Sequence, residues 1–314
     1  MELAPSFVCL AVVAAVSAAF GALVPPPPGP ALDANAAEAA EQVRRAEVPY
    51  HQPAGPAPRA RSVEAIRLSG RLPDDLRGPS VVAEAGGWRM WFVAQGAVRE
   101  ATSNDGRDWR PVAGAVQIDD PRAAIATPTV LRGAGGTYSM WYEADGAIRL
   151  ATSADGRRFT PRGAALTGAA ALGLEPGAQV RLSAPEAAYR DGRFHLWFVA
   201  ETAGTAAIGH ATSFDGATWR ASTANPLPTL PEVGAGRPSV AWDQAAGRFA
   251  IWYRDAAGGW RHATSPDGDM WGGAAAAQVA AADAVAVDGG LRVYAATPPA
   301  QPSGLLAGLL GLGL

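Results

Sequence analysis

The sequence predicts an all-β chain closed into a five-bladed β-propeller, on three observations. First, one phrase occurs four times: an aromatic pair, a short turn, then Ala-Thr-Ser-x-Asp-Gly, two residues and an aromatic. The copies read WRMWFVAQGAVREATSNDGRDW, YSMWYEADGAIRLATSADGRRF, FHLWFVAETAGTAAIGHATSFDGATW and FAIWYRDAAGGWRHATSPDGDMW. Their shared tryptophans, Trp91, Trp141, Trp197 and Trp252, lie 50, 56 and 55 residues apart, a spacing that suits one four-stranded blade per copy. Second, each unit opens with a proline and a short apolar run, as in Pro79-Ser80-Val81-Val82 and Pro128-Thr129-Val130-Leu131. Third, the second strand is apolar on both faces: Trp88, Met90 and Phe92 on one side, Trp91 and Val93 on the other. A sheet with one wet face would alternate with polar residues, whereas a blade is covered on both sides by its neighbours.

Taken in chain order, the first segment is Phe7 to Val24, almost wholly apolar, with Ser17, Ala18 and Ala19 as a small-residue cleavage site. It predicts an export signal over 1–24 and a secreted, periplasmic or cell-envelope protein. The positive flank of such a signal is missing, because Glu2 precedes Phe7 and no arginine does. An apolar run of this length is also just sufficient for an uncleaved membrane anchor. Residues 25–61 read as a flexible Pro/Ala-rich tether, with five prolines between Pro25 and Pro30 and a short helix over Ala36 to Ala46.

The propeller is expected over 62–298. Each proline-led run is the inner strand, ended by a Gly-containing hairpin such as Asp191-Gly192 before the aromatic strand. The Asp-Gly turn has a structural reason: the aspartate accepts N–H groups of its own turn and glycine permits a positive φ. Four copies at one place mark these aspartates as structural. A fifth, degraded unit follows, with Asp283 to Val287 and Leu291 to Ala295 as its first two strands and no Asp-Gly turn motif. Its missing outer strand is expected from Ser62 to Leu68, which would join the two ends and hide the sheet edges. The tail, 299–314, alternates leucine and glycine from Gly304 and is too short to span a bilayer.

Composition removes several classes of function. The net charge is -3, which leaves no electrostatic footprint for nucleic acid. All 26 basic residues are arginine, so Schiff-base and phosphate-loop lysine chemistry are excluded. Cys9 is the single cysteine, which excludes an internal disulfide or a thiolate zinc site. His210 and His262 share one repeat position, where the first two blades carry Glu100 and Leu150, and no metal or cofactor is expected.

Proline-led inner strands, the Met-Trp-Tyr second strand and the Ala-Thr-Ser-x-Asp-Gly-x-x-Trp turn together resemble the five-bladed propellers of the glycoside hydrolase family 43 and 32 superfamily. The turn is also similar to the Asp-box of sialidases. The resemblance implies an aspartate base, a glutamic acid donor and a supporting aspartate on inner strands around a central funnel. Hydrolysis needs one carboxyl group to protonate the leaving oxygen and another to activate water or attack the sugar. The place where blade one of such enzymes reads Asp-Pro is Gly78-Pro79 in this chain.

The informative acids are Glu186 and Asp283, eight residues before Phe194 and Leu291 and therefore at equivalent inner-strand positions. Blades one, two and four carry Ser80, Thr129 and Ser239 there. Arg181 and Arg237 stand just before inner strands and can fork onto a carboxylate or an acidic sugar. All four are expected to converge at one mouth of the channel, as a ligand site or as a charge network that plugs it. For catalysis, Glu186 is the candidate acid, with Asp283 or Asp75 as the base. Two functions stay open: an exported, monomeric glycoside hydrolase, or a non-catalytic propeller that binds carbohydrate or protein.

Overall fold

The structure is a computed structural model and describes residues 62–68, 71–120, 125–175, 177–230, 233–234, 236–277, 281, 283–287 and 290–296. The segments read as export signal or anchor, tether and tail lie outside the described residues. Among the described residues, no helix is long and apolar enough to cross a membrane.

Five sheets follow one another along the chain, each one blade. Blade 1 is β2 (Arg77–Glu84), β3 (Gly87–Ala94), β4 (Ala97–Ser103) and β5 (Arg110–Pro111). Blade 2 is β7 (Ala126–Arg132), β8 (Tyr138–Ala144), β9 (Ala147–Ser153) and β10 (Arg158–Leu166), with β6 (Gln117–Ile118) on its outer edge. A single turn of helix, α1 (Gly168–Ala171), leads to blade 3: β11 (Arg181–Arg190), β12 (Arg193–Thr202), β13 (Thr205–Ser213) and β14 (Arg220–Ala221). Blade 4 is β15 (Ser239–Asp243), β16 (Arg248–Arg254), β17 (Trp260–Ser265) and β18 (Gly272–Ala276). Among the described residues, blade 5 has β19 (Asp283–Val287) and β20 (Gly290–Ala296) from its own unit, plus β1 (Ser62–Leu68) from the start of the propeller.

The closing strand β1 pairs with β20 in parallel, Ser62 against Gly290 through Leu68 against Ala296. Its direction has a topological cause. Strands within a blade alternate, so an outer fourth strand runs parallel to the second and ends where the next inner strand begins. The chain leaves β1 for β2, so β1 must run as a fourth strand does, and with no third strand of blade 5 among the described residues it pairs directly with the second.

Burial on both faces of the second strands follows from this stacking. Trp91, Trp141 and Trp197 are fully buried, and the apolar clusters lie between blades rather than within one. The repeated turn explains how neighbours hold each other. In each copy the serine hydroxyl accepts the glycine N–H, as Ser153 does from Gly156 at 2.8 Å. The aspartate then accepts two later N–H groups, as Asp155 does from Arg157 at 2.8 Å and Arg158 at 2.9 Å. These backbone donors hold Asp105 and Asp155 down to about 2, well below the ordinary carboxyl range. So shaped, the turn offers its glycine carbonyl to the preceding blade: Trp91 Nε1 donates to Gly156 O at 2.8 Å, Trp141 to Gly216 O at 2.8 Å, and Trp197 to Gly268 O at 3.0 Å. Blade 5 has Tyr294 at that place, and its hydroxyl donates to Gly106 O at 2.9 Å.

Candidate functional site

The inner strands of blades 1 to 3 share a device that aims groups at the propeller axis. Each has a β-bulge, between Arg77 and Ser80, Ala126 and Thr129, and Ser183 and Glu186. In each, the residue before the proline has a positive φ: Gly78 at 53°, Thr127 at 43° and Ala184 at 53°. For threonine and alanine this region is strained, by about 1–3 kcal/mol each. Proline has no N–H, so placing it at the bulge forfeits no ladder bond.

Behind the bulges, the equivalent positions found in the repeat form a belt linking neighbouring blades. Ser80 Oγ accepts Val130 N at 2.9 Å, Thr129 Oγ1 accepts Ala187 N at 3.2 Å, and Glu186 Oε1 accepts Val240 N at 3.4 Å. Asp283 Oδ2 accepts Val81 N at 2.7 Å and so completes the circuit from blade 5 to blade 1. The odd member is Ser239, fully buried, whose Oγ has no hydrogen-bond partner.

Arg237 fills the middle of this belt. Its Nη1 donates to Pro128 O at 2.8 Å, and its Nη2 donates to Pro79 O at 2.5 Å and Asp283 Oδ1 at 2.9 Å. The same Nη2 lies 3.1 Å from Glu186 Oε2, an ion-pair contact without hydrogen-bond alignment. One side chain from blade 4 thereby touches the other four blades. Glu186, Asp283 and Arg237 are 3%, 3% and 7% exposed, so this is an interior network and not an open funnel.

Two carboxyl groups share one guanidinium here, and burial decides their protonation. Desolvation pushes Glu186 well above the ordinary carboxyl range; Arg237 opposes it and the facing Asp283 reinforces it. Desolvation also raises Asp283, opposed by Arg237 and by the Val81 and Ala284 N–H groups, which favour its charged form. Burial thus raises both carboxyl groups, and Asp283 is the one hydrogen-bonded to Arg237.

Of the four residues expected to converge, the structure brings together Glu186, Asp283 and Arg237, and leaves Arg181 apart. Arg181 stands five residues ahead of Glu186 at the exposed start of β11, against the turn at Gly146, whereas Arg237 is only two residues ahead of the belt position Ser239. At roughly 3.3 Å per strand residue, that offset lifts Arg181 to the rim. Asp75 is likewise exposed, its Oδ2 accepting Gln95 N at 2.6 Å in the turn between β3 and β4. It does not join Glu186 or Asp283.

Sequence reasoning missed Glu143 of β8. Its Oε2 lies 3.4 Å from Thr127 Oγ1 and 3.4 Å from Ala184 N, reaching both strained bulge residues, and its side chain is half-buried beside the belt. A signal existed, because the same place is Val93 in blade 1 and Val199 in blade 3. Among the described residues, no group of three or more His, Cys, Asp or Glu side chains has the geometry to hold a metal ion.

No family model and no curated protein matches the chain. Solved structures do. A family 117 glycoside hydrolase of the marine bacterium Zobellia galactanivorans matches over 68% of this chain and 74% of its own, at 16% identity and a TM-score of 0.54. An α-L-arabinofuranosidase of Clostridium thermocellum matches over 68% and 80%, at 15% identity and a TM-score of 0.50. An N-acetylgalactosamine deacetylase from F. plautii, in complex with blood group B trisaccharide, matches over 69% and 74%, at 16% identity and a TM-score of 0.50. These solved structures share this chain's fold. At these identities the likeness carries the fold and leaves activity to the site.

Proposed function

We propose that this chain is an exported, monomeric, carbohydrate-binding propeller whose axial carboxylates hold the ring together and do not cleave a glycosidic bond. The observation that carries this reading is the position of Arg237. A hydrolytic pair must flank the scissile bond with room for a sugar, at separations of about 5 Å or more. In this chain the space between Glu186 and Asp283 is taken by a guanidinium nitrogen within 3.1 Å of both. Gly78 also supplies no carboxylate at the start of blade 1. A ligand would meet the rim, where Arg181 and Asp75 are exposed and Glu143 is half-buried beside the belt.

Hydrolysis with Glu186 as acid and Asp283 as base draws on one observation, the burial that raises the Glu186 carboxyl in the direction a general acid needs. It requires Arg237 to leave four blades at once. The test is a screen of arabino-, xylo-, fructo- and sialo-oligosaccharides for binding and for reducing-end release, with wild type, Glu186→Gln and Glu143→Gln. Binding without turnover, kept in Glu186→Gln and weakened several-fold in Glu143→Gln, is the expected result. Wild-type turnover abolished by Glu186→Gln would overturn the proposal in favour of the hydrolase.

A further inference from the structure

Beside the tryptophan latch, three of the seams between blades carry a three-residue cluster at fixed places of the repeat. Between blades 1 and 2, Arg89 Nε donates to Glu100 Oε1 at 2.9 Å, and Arg157, just after the Asp155-Gly156 turn, lies 3.2 Å from Glu100 Oε2. The seam between blades 5 and 1 repeats it: Arg292 Nε donates to Glu64 Oε2 at 3.0 Å, and Arg107, just after Asp105-Gly106, also pairs with Glu64. Between blades 2 and 3 the corresponding residues are Ser139, Leu150 and Ala217, and no ion pair forms. Between blades 3 and 4 they are His195, His210 and Asp269.

These last three form a straight relay. Asp269 Oδ1 lies 2.7 Å from His210 Nδ1, and His210 Nε2 lies 3.1 Å from His195 Nδ1. The imidazole planes are only 7° apart with centroids 5.3 Å apart, so with facing nitrogens at 3.1 Å the rings meet edge to edge. Facing nitrogens aimed at each other leave no room for a metal ion between them, and they suit an N–H···N hydrogen bond. With Asp269 accepting from His210 Nδ1–H, His210 Nε2 is the bare nitrogen and accepts from His195 Nδ1–H.

We propose that the seam between blades 3 and 4 is an acid-operated catch, in which the His195–His210–Asp269 relay replaces the arginine–glutamate clasp used at other seams. With one proton on each ring, His210 Nδ1–H faces Asp269 and the N–H···N bond carries His195's own proton. A second proton on each ring sets two N–H groups head to head and loosens the seam. The groups around it leave little to neutralise that charge. Arg193 and Asp191 of the β11–β12 hairpin act on His195 in opposite senses, Ser222 hydrogen-bonds Asp269, Asn225 Oδ1 accepts His210 N at 2.8 Å, and Trp197 and Phe249 cover the rings.

The direction of the pH dependence follows from His195. Burial first, and His210 second, hold it down to about 4, below its ordinary 6.5. The unfolded chain therefore binds more protons across that interval. Stability contributed by this seam is present above the ordinary histidine range and falls as the pH drops toward 4.

The test uses the full chain and a triple variant, His195→Ser with His210→Leu and Asp269→Ala, which copies the residues of the seam between blades 2 and 3. Thermal unfolding is measured at pH 7.5 and pH 4.5. On acidification the melting temperature of wild type is expected to fall further than that of the triple variant, by about 4 °C or more, a shift on the scale of a kilocalorie-sized change in a domain this large. Equal falls overturn the proposal. Should the triple variant not fold, hydrogen exchange of wild type decides, corrected for intrinsic rates. At pH 4.5 protection is expected to drop about tenfold first in β13 and the turn at 265–271, and a drop that is uniform or begins at the seam between blades 1 and 2 overturns it.

Discussion

At the residue scale, Arg237 is the side chain on which the axis depends. A buried ion pair is weak evidence for net stability, but removing one partner leaves the other's charge without compensation. Arg237→Met strands Asp283, Glu186 and two proline carbonyls in a dry interior. It is expected to cost about 3–5 kcal/mol in urea unfolding, against well under half of that for Arg181→Met at the rim. Glu186→Gln has a different signature. The folded carboxyl is raised above its unfolded value, so its contribution is fully present below the ordinary carboxyl range and is lost as the pH rises through the raised value. Melting temperatures from pH 6.5 to pH 9 should fall more steeply for wild type than for Glu186→Gln, and parallel curves would contradict a raised carboxyl at Glu186. Part of this chemistry was legible in the sequence: two carboxyl groups stand where three blades carry serine or threonine, so Glu186 and Asp283 could be singled out. Arg237's carbonyl partners were not, because Pro79 O and Pro128 O are backbone atoms aimed by bulges that no side-chain pattern records.

At the scale of the element, the Ser-x-Asp-Gly turn is a latch between blades. Its serine and aspartate shape the loop, its glycine takes a positive φ, and its carbonyl receives the tryptophan of the blade before it. Gly268 has φ +87°, and a Cβ there would meet Trp197 Cζ2 at 2.8 Å, whereas Gly204 has φ +86° with nothing within 4 Å of such a Cβ. Gly268→Ala is therefore expected to destabilise more than Gly204→Ala, which carries the backbone strain alone, of about 1–3 kcal/mol. Equal melting temperatures for the two would show that the turn does not press on the neighbouring blade. The turn chemistry was readable from four copies of a short phrase, since serine, aspartate and glycine act on their own backbone within three residues. The latch was not, because its acceptor and donor lie 65 to 75 residues apart in the chain.

At the scale of the whole molecule, closure by β1 joins the first strand of the propeller to the last blade. Glu64 on β1 is held by both Arg292 of blade 5 and Arg107 of blade 1, so the closing strand also supplies the carboxylate of one seam. A chain beginning at residue 69 exposes the edge of β20 and loses that carboxylate. It is expected to unfold with a lower denaturant slope and to self-associate, read by urea titration and sedimentation, while a chain beginning at residue 60 behaves as the full-length protein.

What the sequence determined by itself was everything periodic: the number of blades, the inner and second strands, the turn chemistry and the identity of the closing strand. These are local or repeated, and a pattern seen four times averages out the accidents of any one copy. Tertiary structure decided the matters that depend on distance around the ring. It set the parallel course of β1, drew Arg237 in between Glu186 and Asp283, left Arg181 and Asp75 at the rim, and brought Glu143 against Thr127 and Ala184. The physical reason is that a propeller's axis and seams are assembled from positions roughly fifty residues or more apart. Which charges meet there depends on bulges and strand offsets of one or two residues, and those follow from packing the blades against each other.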